Sequence, residues 1–157
     1  MILYRLVKNT YADDLSGTGA RLYGGRWNSK GKATVYMASS QSLALLELLV
    51  HLPALIEPKN YFLLEIQVPD NVVARIAVQD LPVNWNAMQP PAVLKKIGDN
   101  FLAKNKYLLL KVPSAIVPNE FNYLLNVQHP DMAKVKIVKK ELFSFDKRLR
   151  PSINLPQ

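Results

Sequence analysis

Gly24-Gly25-Arg26-Trp27-Asn28 stands just ahead of a strand-like Thr34-Val35-Tyr36-Met37-Ala38, and an apolar helical run with one carboxylate, Glu47, comes next. Without a Cβ at Gly24 and Gly25 the backbone can come close to a ligand. Arg26 directly afterwards offers a fixed fork of donors that suits phosphate. An acid inside an apolar helix is costly unless something uses it. Together these residues predict a pocket that holds a phosphate-bearing substrate beside one carboxylate.

Each residue also has a plainer reading. On a helix Glu47 shares a face with Leu43, Ala44, Val50 and His51, three or four positions away. It is either half of a Glu47–His51 pair near the surface or a carboxylate aimed into a pocket. Arg5 interrupts the apolar run Ile2-Leu3-Tyr4-Arg5-Leu6-Val7, where alternation favours a solvent-facing side chain. Arg26 has an alternative as a loop arginine stacked on Trp27. Ser114 sits in the rigid stretch Val112-Pro113-Ser114-Ala115, which presents its hydroxyl in a fixed direction. With no His–Asp pair beside it, it does not look like an activated nucleophile. Asn122, Asn126 and His129 form a polar cluster in an apolar setting, and such amides suit buried backbone or ligand hydroxyls. There is no P-loop, no Rossmann glycine pattern and no metal-ligand spacing.

The elements that must position these residues follow from pattern. Ile2 to Val7 reads as a short strand. Residues 9–32, rich in Gly, Ser, Asn and Asp, read mostly as loop, and Tyr23 and Trp27 argue against disorder there. Thr34 to Ala38 is a strand. Ser39 or Ser40 caps a helix that runs to about His51 and stops before Pro53. Tyr61 to Val68 and Val72 to Val78 read as strands with Pro69-Asp70-Asn71 as the turn between them. Pro90-Pro91 opens a second helix with a stripe of Val93, Leu94, Ile97, Phe101 and Leu102. Tyr107 to Val112, Val135 to Val138 and Leu142 to Phe145 are further strands, and residues 151–157 are an extended tail after a single domain spanning 1–150.

Composition narrows the class. At 157 residues and 49% hydrophobic, the chain is long enough for one domain with a sizeable core. Its net charge of +8 attracts anionic partners of several kinds, but the lysines are dispersed and form no block. There is no cysteine, which excludes disulfide and thiolate chemistry and is compatible with a reducing cytoplasm. With only two histidines, a structural zinc site is not expected. No signal peptide or membrane span is legible.

In this order the residues resemble RES-domain proteins, the toxin halves of bacterial Xre–RES toxin–antitoxin pairs. The arginine, glutamate and serine after which that family is called match Arg5, Glu47 and Ser114. Supporting landmarks are Gly24-Gly25-Arg26-Trp27-Asn28, Val35-Tyr36, Ile97-Gly98-Asp99, Asn122-Tyr123-Leu124-Leu125-Asn126, His129-Pro130 and Phe145-Asp146-Lys147-Arg148-Leu149. The resemblance implies an α+β fold, with mixed sheets and flanking helices around a cleft, like that of ADP-ribosyltransferase toxins. It implies cleavage of the nicotinamide–ribose bond of NAD+, with inorganic phosphate as co-substrate and acceptor and no metal or resident cofactor. It also implies roles. Arg5 and Arg26 clamp phosphates, with Gly25 beside them, and Tyr36 stacks near nicotinamide. Glu47 stabilises positive charge at the ribose, Ser114 binds substrate or positions Glu47, and Asn122 and His129 line the rim. The implied partner is an Xre-type helix-turn-helix antitoxin in the cytoplasm, without direct nucleic-acid or membrane binding. A homodimer within a larger complex fits that picture.

Two rivals keep the pocket but pass ADP-ribose to a protein or to water. A rival of another class is a non-enzymatic basic module for nucleic acid, and the dispersed charge speaks against it.

Overall fold

Seven strands form one sheet in the computed structural model, which describes residues 1–53 and 58–149. They are β1 (Ile2–Lys8), β2 (Val35–Ala38), β3 (Tyr61–Gln67), β4 (Val73–Arg75), β5 (Leu109–Pro113), β6 (Phe121–Leu125) and β7 (Lys136–Phe143). Their order across the sheet is β4-β5-β6-β2-β1-β3-β7. Only β4 and β5 run parallel; every other neighbouring pair is antiparallel. Three α-helices accompany the sheet: α1 (Thr18–Tyr23), α2 (Gln41–Leu49) and α3 (Val93–Lys104). The architecture is the expected mixed α+β type.

Strand alternation splits the core into two faces. On one, which loops cover, Leu3, Val7, Met37, Leu64, Tyr123 and Leu125 pack together with Leu15, Val72, Val127 and Met132 from the connections. On the other lie the two longer helices. Leu94, Phe101 and Leu102 of α3 pack on Leu110, Val112 and Leu124 of β5 and β6. Leu43 and Ala44 of α2 pack on Leu6, Ala38 and Leu63 of β1, β2 and β3. The helices thus cover opposite flanks of the same face. Between β1 and β2 the register has a single rung, Tyr4 opposite Ala38. That seam divides the sheet into a four-strand and a three-strand half, and α2 packs across it.

The helices begin and end for identifiable reasons. The Ser40 hydroxyl oxygen accepts the Leu43 N–H at 3.1 Å and caps α2. α3 follows Pro90-Pro91 and ends at Asn105, which adopts a left-handed φ of 48°. Within α3, Gly98 lies against the Trp27 carbonyl, and a Cβ there would overlap it.

Some expectations shift. The stretch 9–32 is not all loop, because it contains α1. Pro69-Asp70-Asn71 turns the chain but closes no hairpin: β4 crosses to the far edge and pairs with β5. The two late strands are one, β7, whose register against β3 slips between Glu65 and Ile66. The polar-looking Asn122 region is a central strand, β6. The tail 151–157 lies outside the described residues.

Candidate active site

Glu47 sits on the sheet-facing side of α2, where its carboxylate meets Ser114 after β5 and Asn122 of β6. Its Oε1 accepts a hydrogen bond from Ser114 Oγ at 3.1 Å and another from Asn122 Nδ2. Both land on the same oxygen, and Oε2 has no hydrogen bond to the described residues. The His51 alternative resolves differently: His51 Nδ1 meets the Glu47 backbone carbonyl at 2.8 Å, leaving the carboxylate to the sheet.

Ser114 is buried and its hydroxyl is fully directed. Its oxygen accepts the N–H groups of Ile116 and Val117, each at 3.1 Å. With those lone pairs used, the hydroxyl proton has one outlet, Glu47. The Ser114 N–H donates to the Glu120 carbonyl at 2.9 Å, and Glu120 Oε2 accepts from the Ser40 hydroxyl at 3.1 Å. The turn that holds Ser114 and the cap of the helix that carries Glu47 are therefore tied through one residue.

The glycine–arginine segment closes the other side. Arg26 Nη1 donates to the carbonyls of Trp85 at 2.8 Å and Ala87 at 3.0 Å, so part of its fork already grips the 82–91 loop. Burial lowers its pKa, and the nearby Glu47 and Tyr36 oppose that shift. The guanidinium thus lies in the field of the Glu47 carboxylate. The Tyr36 hydroxyl donates to Asn28 Oδ1 at 2.7 Å and accepts the Trp27 N–H at 3.1 Å. Burial, its largest influence, keeps that phenol protonated well above the ordinary tyrosine range.

Gly25 is needed here, because a Cβ would come within 2.7 Å of the Tyr36 hydroxyl and 2.9 Å of Asn28 Oδ1. The close approach that the glycine permits is to these side chains. Asn28 is fully buried and donates to the carbonyls of Ala20 at 2.9 Å and Lys32 at 3.0 Å. It is the organiser of the loop, and it was quoted in the motif without being singled out. The signal was present: a carboxamide has enough donors and acceptors to close such a loop from inside.

Two predicted residues stand apart from Glu47. Arg5 pairs in register with Leu64, on the loop-covered face with Leu3 and Val7, whereas Asn122 and Glu47 meet on the helix face. Arg5 Nη1 donates to the Asp14 carbonyl at 2.9 Å. Burial lowers its pKa and the Asp14 carboxylate works against that. His129 lies beyond the far end of β6 from Asn122, where its Nδ1 accepts the Asp131 N–H at 3.1 Å and caps a short 3-10 turn. Among the described residues no group of three His, Cys, Asp or Glu side chains is placed to hold a metal ion.

The RES domain family model matches residues 2–146. A protein of Sphingobium sp. (strain YBL2) named Prs ADP-ribosylating toxin is 45% identical over 141 residues, covering 88% of each chain. A protein named Toxin Res from Photorhabdus laumondii is 42% identical, covering 95% of this chain and 97% of its own. Among solved structures, the M. tuberculosis MbcT–MbcA toxin–antitoxin complex contains a chain that superposes with a TM-score of 0.74 over 91% of this chain and 84% of its own. At 20% identity, that likeness speaks for the fold. With a family model spanning nearly its whole length and relatives this similar, the chain belongs to the RES-domain family.

Proposed function

We propose that the chain is the toxin of a toxin–antitoxin pair and that it cleaves NAD+ at the nicotinamide–ribose bond. The observation that carries this reading is the Glu47 carboxylate, with Oε1 tied by Ser114 and Asn122 and Oε2 without a hydrogen bond to the described residues. A pre-aimed carboxylate beside a forming cation stabilises the transition state without reorganising at the moment of reaction. As the C1′–N1 bond breaks, its electron pair leaves with neutral nicotinamide and the ribose gains oxocarbenium character. Glu47 Oε2 accepts from a ribose hydroxyl and faces that charge.

In this reading Arg26 takes the diphosphate with the donors not used on Trp85 and Ala87, and the Tyr36 ring lies beside the nicotinamide. Ser114 and Asn122 are positioning residues acting through Glu47. For Arg5 to join the clamp, the diphosphate must reach it across the seam where one rung joins β1 and β2. His129 has no part.

Inorganic phosphate is the acceptor that the family resemblance favours. A second reading, transfer to a protein, is favoured by the 45%-identical relative named for ADP-ribosylation. The partner in either case is an antitoxin, with the Xre type proposed from the resemblance, and the compartment is the cytoplasm. No helix of the described residues is long and apolar enough to cross a membrane.

The test is incubation of purified protein with NAD+, with and without inorganic phosphate, followed by chromatography. Release of nicotinamide with a phosphate-dependent ADP-ribosyl phosphate supports the first reading. Nicotinamide release that needs an added cell extract, with label on a protein, supports the second. Intact NAD+ under all these conditions overturns both.

A further inference from the structure

The loop-covered face of the sheet carries a second polar feature, at the β4 edge. Arg75 of β4 and Lys111 of β5 are register partners on neighbouring strands. Like charges side by side on a sheet repel. Among the described residues neither forms an ion pair. Lys111 is half-buried, with its Nζ 3.8 Å from the centroid of the Phe121 ring. Burial pushes its pKa down first, and Arg75 adds to the shift. Both cations line a hollow of about 380 Å³, completed by Phe121, Ile76, Ala77, Val78 and Asp80. Asp80, the acid in that wall, comes within ion-pair distance of neither.

This hollow is separate from the Glu47 site. Phe121 and Tyr123 project to the loop-covered face, while Asn122 between them projects to Glu47 on the other. A chain that places two cations together, half-buries one and offers neither a carboxylate holds an electrostatic cost that an anion relieves. The apolar wall beside them favours a ligand that is not a bare ion.

We propose that this hollow is a second binding site, which takes the phosphate of a small phosphorylated molecule between Arg75 and Lys111 and lays the apolar part of the same ligand on Ala77 and Val78. The proposal stands without the NAD+ reading. At about 380 Å³ the hollow has the size of a small-molecule site, which favours that occupant over an acidic protein segment.

The test uses the full chain with methyl-labelled Ala and Val. Two probes are titrated separately: inorganic pyrophosphate, and a short peptide of alternating glutamate and phenylalanine. The expected result is a saturable shift of the Ala77 and Val78 methyl signals with pyrophosphate, and a raised Tm. Arg75→Gln and Lys111→Met each weaken that binding by about tenfold or more, as loss of a charged hydrogen-bond donor does. Each also raises the ligand-free Tm by removing the repulsion, which serves as the check on folding. Neither substitution changes the rate of NAD+ cleavage. A response to pyrophosphate supports the proposal, and a response to the peptide alone overturns it in favour of an acidic protein segment. No shift with either probe, or equal saturation in the wild type and both variants, overturns the proposal.

Discussion

Glu47 differs from an ordinary surface carboxylate in having one oxygen that accepts two hydrogen bonds and another that accepts none from the described residues. Glu47→Gln keeps the shape and removes the charge. The fold should survive, since an amide oxygen still accepts from Ser114 and Asn122. We expect kcat to fall on the order of 10²–10³, the usual loss for one transition-state partner. A variant with near-normal kcat would make Glu47 a helix residue without chemistry. A second prediction concerns Gly25, whose missing Cβ leaves room for the Tyr36 hydroxyl. Gly25→Ala should lower both activity and Tm. Tyr36→Phe in the same chain removes the nearest clashing atom, so the double variant should lose less stability than the sum of the singles. Strict additivity in thermal melts would show that the crowding lies elsewhere.

At the scale of elements, α2 is set by its cap. Ser40 accepts from the first turn of α2 and donates to Glu120, whose main chain holds the Ser114 turn. Ser40→Ala should cost about 1 kcal/mol, a fall in Tm of about 2–4 °C for a domain of this size. Because the cap also orients Glu47, kcat should fall while KM stays close to its original value. Unchanged kcat with the Tm loss would confine Ser40 to stability. This helix was legible in the sequence because its signals are local: a serine cap, an apolar run and a closing proline.

The strands that were misread depend on distant partners. β6 was hidden because Asn122 and Asn126 break its apolar pattern, and each answers to a residue far away in the chain, Glu47 or Asn105. β7 read as two strands because Lys139, Lys140 and Glu141 interrupt it. Those side chains pair across the surface with Glu65, with Asp13 and with one another. The Glu47–Ser114 pairing became visible through the family resemblance, since no spacing rule joins residues so far apart. The same motif placed Arg5 in the set but said nothing of faces, and strand alternation puts it on the opposite one.

The whole molecule carries a charge of +8, and the proposed substrate is an anion. An antitoxin that restrains such an enzyme has an obvious handle: an acidic or carboxylate-ended segment that pairs with Arg26, or with Arg5 across the seam, in place of the substrate diphosphate. Inhibition should then be competitive, with a raised apparent KM at low antitoxin. Salt should weaken it, as screening weakens any charge-guided encounter. Purely non-competitive kinetics would place control away from the Glu47 site.

The seam between β1 and β2 has a consequence in time. The chain passes between the two halves of the sheet again and again, and the half that begins with β1 is finished only by β7. The Glu47 site draws on Arg26 and Tyr36 early and on Ser114 and Asn122 late. A nascent fragment that stops before β6 lacks Asn122 and holds no complete Glu47 site. Synthesis adds about 5–20 residues per second, so the proposed activity arrives only in the last seconds of translation or after release. On the proposed function, a restraining partner already present meets the chain before it becomes active. How fast that partner captures its target, rather than how tightly, then sets the dose of free enzyme each newly made copy delivers.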